Sequence, residues 1–452
     1  MRIRLIHEGP AFFKRMLVLF LGAICCLYAV PSRAQNYQPY PVGERAVGLG
    51  GAFIALSDDS SGCYYNPAGI VFADSNRVSV AGTIYGFSLF EMSDLNAFSG
   101  DIQKAETANF FASPTTLAML MRFSDLGSEA SPKNAVGFVI ITPDYRSNSI
   151  STEFSGMDVV YNYRESGQTY WFGPSYARRI SQRLSLGGSV YGLFEQEHAA
   201  GTIVGRLEGF RYNGEMTTPD VSYTFEESNK SLNLLMQAGM QARFDLLHIG
   251  LVVRTPSVQA WGQGTQTTGF LIATDDDADL ESRETDYRPN RHDPFMVGLG
   301  FALEQPLLYA VSLDVRLHGN DLYKNKDNGE IAETVDLKSV INANIGGEYV
   351  IAGKVPLRAG FFTDFSPMEI NTTKEQAQLD SYGTTFSATL LHKNTSFTAG
   401  IVYSWGQGEQ YLVKNQETAD GSGDGVPTKT TLSLQTLNFV LATSFRFGYA
   451  DK

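Results

Sequence analysis

The residues best suited to chemistry are charged side chains that fall on one parity of alternating segments: Arg254, Asp314, Arg316, Glu348 and Arg358. A planar guanidinium binds a carboxylate through two parallel hydrogen bonds, so Arg254, Arg316 and Arg358 are candidate contacts for an acidic ligand. The plainer reading is that each pairs with an acid of its own chain in a polar interior. Catalysis finds little support. His198, His248, His292, His318 and His392 are dispersed, and neither HExxH nor CxxC occurs. The Gly48 and Gly50 pair continues to Phe53, where a dinucleotide fingerprint needs glycine. A nucleophile assembled across strands is the one enzymatic arrangement that such a sequence leaves open.

Metal chemistry has two acidic stretches to consider, Asp275 to Asp279 and Asp420 to Gly425. Hard oxygen ligands suit calcium, but neither stretch has the EF-hand spacing with its glycine and terminal glutamate, so both read as solvated loops. No metal ion and no cofactor are expected, and the chain reads as a non-enzyme.

The N-terminus carries an export pattern. Arg2, Arg4, Lys14 and Arg15 precede an apolar run from Met16 to Val30 that ends at Pro31-Ser32-Arg33-Ala34. Small residues at Ser32 and Ala34 suit cleavage before Gln35, giving an expected signal peptide over 1–34. Lipidation at Cys25 or Cys26 is the rival, opposed by Ile24 and Cys25 ahead of them where that processing wants a small residue. Cys63 is then the only cysteine of the mature chain, which excludes an intramolecular disulfide despite export. Five Lys/Arg and one Glu in the signal leave 30 basic and 47 acidic residues, a net charge of −17 that argues against nucleic acid as a partner.

The elements that position the charged residues must themselves be identified. No Pro/Ser-rich linker divides the mature chain, and it has no apolar run of about 18 residues, so no helical membrane span is available. Alternation is the dominant pattern. From Leu307 to His318, Tyr309, Val311, Leu313, Val315 and Leu317 oppose Ala310, Ser312, Asp314, Arg316 and His318. From Asn438 to Tyr449, Phe439, Leu441, Phe445, Phe447 and Tyr449 oppose Ala442, Ser444, Arg446 and Gly448. The apolar faces hold no charge, as lipid contact requires, since Lys or Arg at a bilayer midplane costs about 2–4 kcal/mol. A soluble β-sandwich also alternates, so link lengths decide.

Strands are predicted near 77–87, 115–123, 134–145, 168–180, 184–195, 231–244, 248–260, 293–303, 307–318, 340–350, 355–363, 381–391, 395–405 and 435–448, fourteen in all. Links after even-numbered strands are short, as at Ser181 to Arg183, Asp245 to Leu247 and His392 to Asn394, with Ser124 to Lys133 the longer exception. Links after odd-numbered strands are long, as at Ser88 to Pro114 and Gln196 to Lys230. Short periplasmic turns and long outer loops mark a bacterial outer-membrane barrel. The fold expected is therefore all-β, a 14-stranded antiparallel transmembrane β-barrel over 77–452, with both termini periplasmic.

Residues 35–76 do not alternate. Gly50 and Gly51 permit close backbone approach and Asn66-Pro67 fixes a turn before Ala68, as a plug inside a lumen would need. The Gly-Leu-Gly-Gly-Ala-Phe stretch at 48–53, Ser57-Asp58-Asp59 and Asn66-Pro67-Ala68 resemble the N-terminal hatch of the FadL family of outer-membrane transporters for long-chain fatty acids and other hydrophobic compounds. Tyr176 to Arg179, Val253 to Pro256 and Leu357 to Phe361 are weaker echoes of that family. The stretch is also similar to that of the PorV-like barrels that shuttle secreted proteins. The chain departs from a common barrel ending, since Ala450-Asp451-Lys452 follow Tyr449.

The resemblance implies a hydrophobic small-molecule ligand, outer-membrane lipid as a neighbour, a hatch gated around Gly50, Gly51, Asn66, Pro67 and Ala68, and lateral exit beside a kinked third strand. Pro143 removes a ladder donor in the outer half of that strand and is the candidate for the opening; a strand that ends there is the alternative. A protein shuttle that binds exported proteins, a polar-solute porin and a purely structural barrel are the rival roles.

Overall fold

The computed structural model describes residues 36–448 apart from 38–39, 94–103, 126–131, 155–157, 207–209, 213–214, 275–277, 328–331, 370–376 and 415–425. The expected signal over 1–34, most of both acidic stretches and the C-terminal 449–452 lie outside the described residues.

Fourteen antiparallel strands close a barrel. In chain order they are β1 (Asn76–Ser93), β2 (Lys104–Phe123), β3 (Asn134–Phe154), β4 (Asp158–Arg179), β5 (Leu184–Arg206), β6 (Asp220–Phe244) and β7 (Leu247–Arg254). The second half comprises β8 (Met296–Gln305), β9 (Tyr309–His318), β10 (Val340–Ile351), β11 (Val355–Asp364), β12 (Gln378–His392), β13 (Thr395–Lys414) and β14 (Val426–Phe447). Each strand pairs with the next, and β14 returns to β1 along Asn76↔Phe447 to Ser93↔Thr431.

The alternation that predicts β9 holds residue by residue. Val311 and Leu313 are 50% and 42% exposed on the outer wall, whereas Ala310 and Asp314 are fully buried inside. Leu303, Ile345, Phe386, Phe397, Leu441 and Phe445 continue the outer apolar surface around the barrel. A belt of this kind suits lipid, because so large a contiguous apolar surface is costly to expose to water.

The short links are tight turns. Asp245, Leu307, Ala352 and Lys393 have φ between 48° and 59°, the left-handed region that lets two or three residues reverse a strand. The long links are strand for much of their length: β4, β5 and β6 run more than twenty residues each, well past the apolar belt. Strand seven differs from expectation. It stops at Arg254, and Val258–Ala273 resumes beside β6 after the irregular Thr255-Pro256-Ser257, because Pro256 has no N–H for a ladder. Above this break the wall continues as the Val258–Ala273 and Ala278–Pro289 hairpin.

The seam between the first and last strands carries its own clamp at the short-turn end. Asp74 binds Arg77 of β1 at 3.0 Å and Arg446 of β14 at 3.2 Å. Burial alone would raise the Asp74 carboxyl, but the two guanidiniums and the Ser75 hydroxyl outweigh it and hold it below the usual range. A depressed carboxylate stabilises the fold above its unfolded pKa and loses that contribution as pH falls through the folded value. Asp74→Asn is expected to lower thermal stability at pH 7 by less than about 1 kcal/mol, the clamp being half in water, and the difference from the native protein is expected to narrow as pH falls below the ordinary carboxylate range. Melting curves of both proteins from pH 7 downward check this.

Residues 40–75 lie inside the barrel. They form helix α1 (Glu44–Gly48), helix α2 (Gly62–Tyr65) and the 3-10 turn Pro67–Phe72. Leu49, Phe53, Leu56, Cys63, Tyr64, Tyr65 and Ile70 of this segment form one core with wall residues Leu120, Val139, Ile141, Trp171 and Tyr191. Each fully buried apolar side chain of this size contributes about 1.5–3 kcal/mol, which explains why a segment without alternation is held so firmly. Gly43, with φ 97°, turns the chain into α1, and a Cβ there would meet Ser61.

Candidate functional site

The segment rests on the wall backbone to backbone. Gly50 and Gly51 adopt φ of 63° and 77°, and a Cβ on Gly50 would lie 2.8 Å from the Phe361 nitrogen. From the wall side, a Cβ on Gly360 would lie 2.3 Å from the Gly50 nitrogen and one on Gly346 would lie 2.4 Å from the Leu49 oxygen. The Asn66-Pro67-Ala68 turn uses a second such seat. Asn66 Oδ1 accepts from the Ala68 amide at 3.1 Å while its Nδ2 donates to the carbonyls of Ile54 at 3.0 Å and Met240 at 3.1 Å. Gly239 and Gly187 leave the space this turn occupies, and Ser185 donates to the Ala68 carbonyl at 2.7 Å.

Polar wall groups satisfy the segment's irregular backbone. Asp314 Oδ2 accepts the Phe53 amide at 2.7 Å and the Ile54 amide at 2.9 Å. Arg316 donates to Asp314, to Asn344 and to the Gly51 carbonyl at 2.7 Å, and Asn344 donates to the Gly50 carbonyl at 2.6 Å. Arg254 lies over the Trp171 ring at 4.5 Å, donates to Gln237 at 3.0 Å and reaches the Tyr64 carbonyl. Arg358 binds Glu348 at 2.5 Å and Thr389. Glu348 also binds Arg45, which reaches Glu304 at 2.7 Å and Asp58 at 3.1 Å. The three predicted arginines therefore lie in three buried networks around the segment, each guanidinium in contact with groups of this chain. Cys63 is buried nearby, and burial raises its thiol pKa, which suits an inert thiol.

On the long-loop side of the segment lies a chamber of about 130 Å³. Tyr40, Phe90, Phe111, Tyr145, Leu379 and Leu434 give it apolar walls, and Ser88, Ser381, Thr436 and Asn438 add polar groups. Its charged residues are Asp144 and Arg146, 3.4 Å apart, and Arg146 also binds Glu197 at 2.7 Å.

Beside this chamber the wall forks. The β2–β3 rungs run from Phe123↔Asn134 to Thr116↔Ile141 and go no further. Pro143 lies inside β3, which continues to Phe154, so the strand does not end there. The β3 register against β4 also slips between Ile141 and Asp144. Proline has no N–H to offer, and the bulge turns Asp144 to Ser147 toward the chamber. Beyond the fork, side chains span the two strands: Phe111 packs on Tyr145 with centroids 5.2 Å apart, and Ser149 donates to Asn109 at 3.1 Å.

Sequence reasoning missed the wall half of the seats, Gly187, Gly239, Gly346 and Gly360. Their signal was present, since glycine on the inward parity of a strand marks close approach by another backbone. It also missed Tyr40, whose hydroxyl donates to the Thr142 carbonyl at 3.0 Å, within the bulge.

No known family model matches the sequence, and no curated protein matches it. Solved structures share the fold. A Pseudomonas aeruginosa FadL homologue is 13% identical with a TM-score of 0.62, over 91% of this chain and 100% of its own. The P. putida toluene transporter TodX is 13% identical with a TM-score of 0.60, over 90% of this chain and 99% of its own. The CymD monoaromatic hydrocarbon channel is 12% identical with a TM-score of 0.55, over 90% and 98%. At these identities the likeness is one of fold.

Proposed function

We propose that the chain is a FadL-type channel of the outer membrane, plugged by its N-terminal segment, through which uncharged hydrophobic molecules enter from the long-loop end and leave sideways between β2 and β3. The observation that carries this reading is the adjacency of chamber and fork: Phe111, Asp144, Tyr145 and Ser147 line the first and border the second. Pro143 marks the exit in this reading. Gly50, Gly51, Asn66, Pro67 and Ala68 seat the plug, and Arg254, Arg316 and Arg358 fasten it without touching cargo. Both termini then face the periplasm.

Size and charge argue for the cargo class. An apolar cavity of about 150 Å³ holds benzene, so the chamber in this state suits one ring better than a long acyl chain. A carboxylate entering it would meet an arginine already bound to Asp144 and Glu197. Solved channels of the same fold are described as carrying toluene and monoaromatic hydrocarbons, which agrees with that choice.

The test is a staple across the fork. Asn109→Cys with Ser149→Cys places a cysteine on each strand where a side-chain hydrogen bond of 3.1 Å now joins them. In cells expressing this variant, toluene uptake is expected to fall about ten-fold on oxidation and to recover on reduction, with octanoate passing poorly throughout. Uptake indifferent to the staple would overturn lateral exit, and octanoate passing as readily as toluene would overturn the cargo class.

A further inference from the structure

We propose that the outer wall carries a binding site for one anionic phospholipid of the leaflet that meets the short turns, a site separate from the lumen and independent of what passes through it. A groove of about 1010 Å³ crosses the wall from β11 to β2. Its floor is a row of outward positions in register, Ala388↔Ala399, Ala399↔Leu441 and Leu441↔Gly82, in which Leu441 is the one large side chain. The next row toward the rim, Leu390, Phe397, Thr443 and Val80, forms a bank, with Leu390 and Phe397 56% and 57% exposed. Among the described residues no charged one lines the groove, and the Thr443 hydroxyl donates to the Ser396 carbonyl at 3.0 Å.

The groove climbs away from the rim. Val355 opens β11, Leu390 and Phe397 lie close to the rim ends of β12 and β13, Leu441 lies deeper in β14, and Ala112 well inside β2. Strands about 4.8 Å apart and tilted about 40° carry such a course about 24 Å along the wall and about 15 Å into the membrane, the depth of one leaflet. At its foot stand Lys354, next to Val355, and Lys393, in the turn that follows β12. The two turns are neighbours, since the Leu391 amide donates to the Lys354 carbonyl at 3.1 Å. Both lysines are exposed, and neither pairs with an acid among the described residues. The turns Asp245-Leu246 and Gln305 to Leu308, elsewhere on this rim, hold no base. A lipid tail gains little by leaving other tails for an apolar groove, so the groove alone selects no occupant. The lysines do, because they draw a negative headgroup to the place on the rim where its acyl chain can lie along the wall.

Native mass spectrometry of the full-length barrel tests this, with phosphatidylglycerol and phosphatidylcholine of identical chains as the probes. The native protein is expected to hold one phosphatidylglycerol about ten-fold more tightly than phosphatidylcholine. Lys354→Gln combined with Lys393→Gln is expected to erase that preference. Ala399→Phe fills the floor and is expected to weaken both lipids about ten-fold, whereas Val311→Phe, on the outer face of β9, changes neither. Should Ala399→Phe fail to assemble, Leu390→Ala, which lowers the bank, is read in its place with the same expectation. A preference that survives the loss of both lysines overturns the headgroup contact, and full binding by the groove variant overturns the groove. A dimer that holds no lipid and that Ala399→Phe disperses would make a second copy the occupant and overturn the proposal. None of these readouts depends on uptake, so they stand whatever the lumen carries.

Discussion

Gly360→Ala is expected to turn a nearly silent barrel into a steadily conducting one. The added Cβ would sit 2.3 Å from the Gly50 nitrogen and 2.4 Å from the Leu49 carbonyl carbon, both backbone atoms without a rotamer to escape into. Gly50 cannot retreat easily, since its carbonyl is held by Asn344 at 2.6 Å and its φ of 63° is already a turn conformation. Overpacking a tight core costs about 1–3 kcal/mol, and here the strain is relieved only by lifting the segment from β11. Planar-bilayer recordings should show conductance at least about ten-fold above the native protein, as in a barrel whose lumen is open. A variant as silent as the native chain would mean that the seat does not hold the plug.

Asp314→Ala should release the same segment from another side and with a larger loss of stability. The carboxylate is fully buried and accepts two plug amides, Phe53 and Ile54, while holding Arg316 at 3.1 Å. Its removal leaves two donors and one buried guanidinium short of a partner, and breaking a buried pair from one side costs about 3–5 kcal/mol. Asp314→Asn, which keeps an acceptor but not the charge, should lie between. Protease sensitivity of residues 44–75 in the folded barrel reports the release directly. Resistance equal to the native protein in Asp314→Ala would place the plug's hold elsewhere, on the apolar core and the glycine seats.

Much of the wall was legible because its two solvents differ. The Tyr309 to His318 alternation reads directly as lipid outside and polar groups inside, and the short links at Asp245 and Lys393 mark one rim. The break in strand seven was not read, although Thr255-Pro256 stood in the predicted run, because alternation continued on both sides of it. Pro143 was visible as a missing donor, but the fork depends on which β2 residues stop pairing, and pairing is not written in either strand alone. The three arginines were legible as buried charges on the inner parity. Their partners, the Gly51 and Tyr64 carbonyls and Glu348, come from distant parts of the chain. Tyr40 carried no local signal, since nothing near Tyr40 in sequence points to a carbonyl a hundred residues away.

The backbone contact of Gly50 with Gly360 has a consequence for how much of the interior must move. Side chains can yield by degrees, but two main chains in contact have no slack, and the Asn66 turn is lodged in the same way against Gly239. Everything from Glu44 onward is therefore footing. Ahead of Gly43 the described contacts are made by side chains instead, Asn36 donating to the carbonyls of Asp364 and Leu379 and Tyr40 to that of Thr142. If the proposed channel reading holds, a guest molecule need only slip a few moorings of a tether, and the packed mass beneath it can stay where it is.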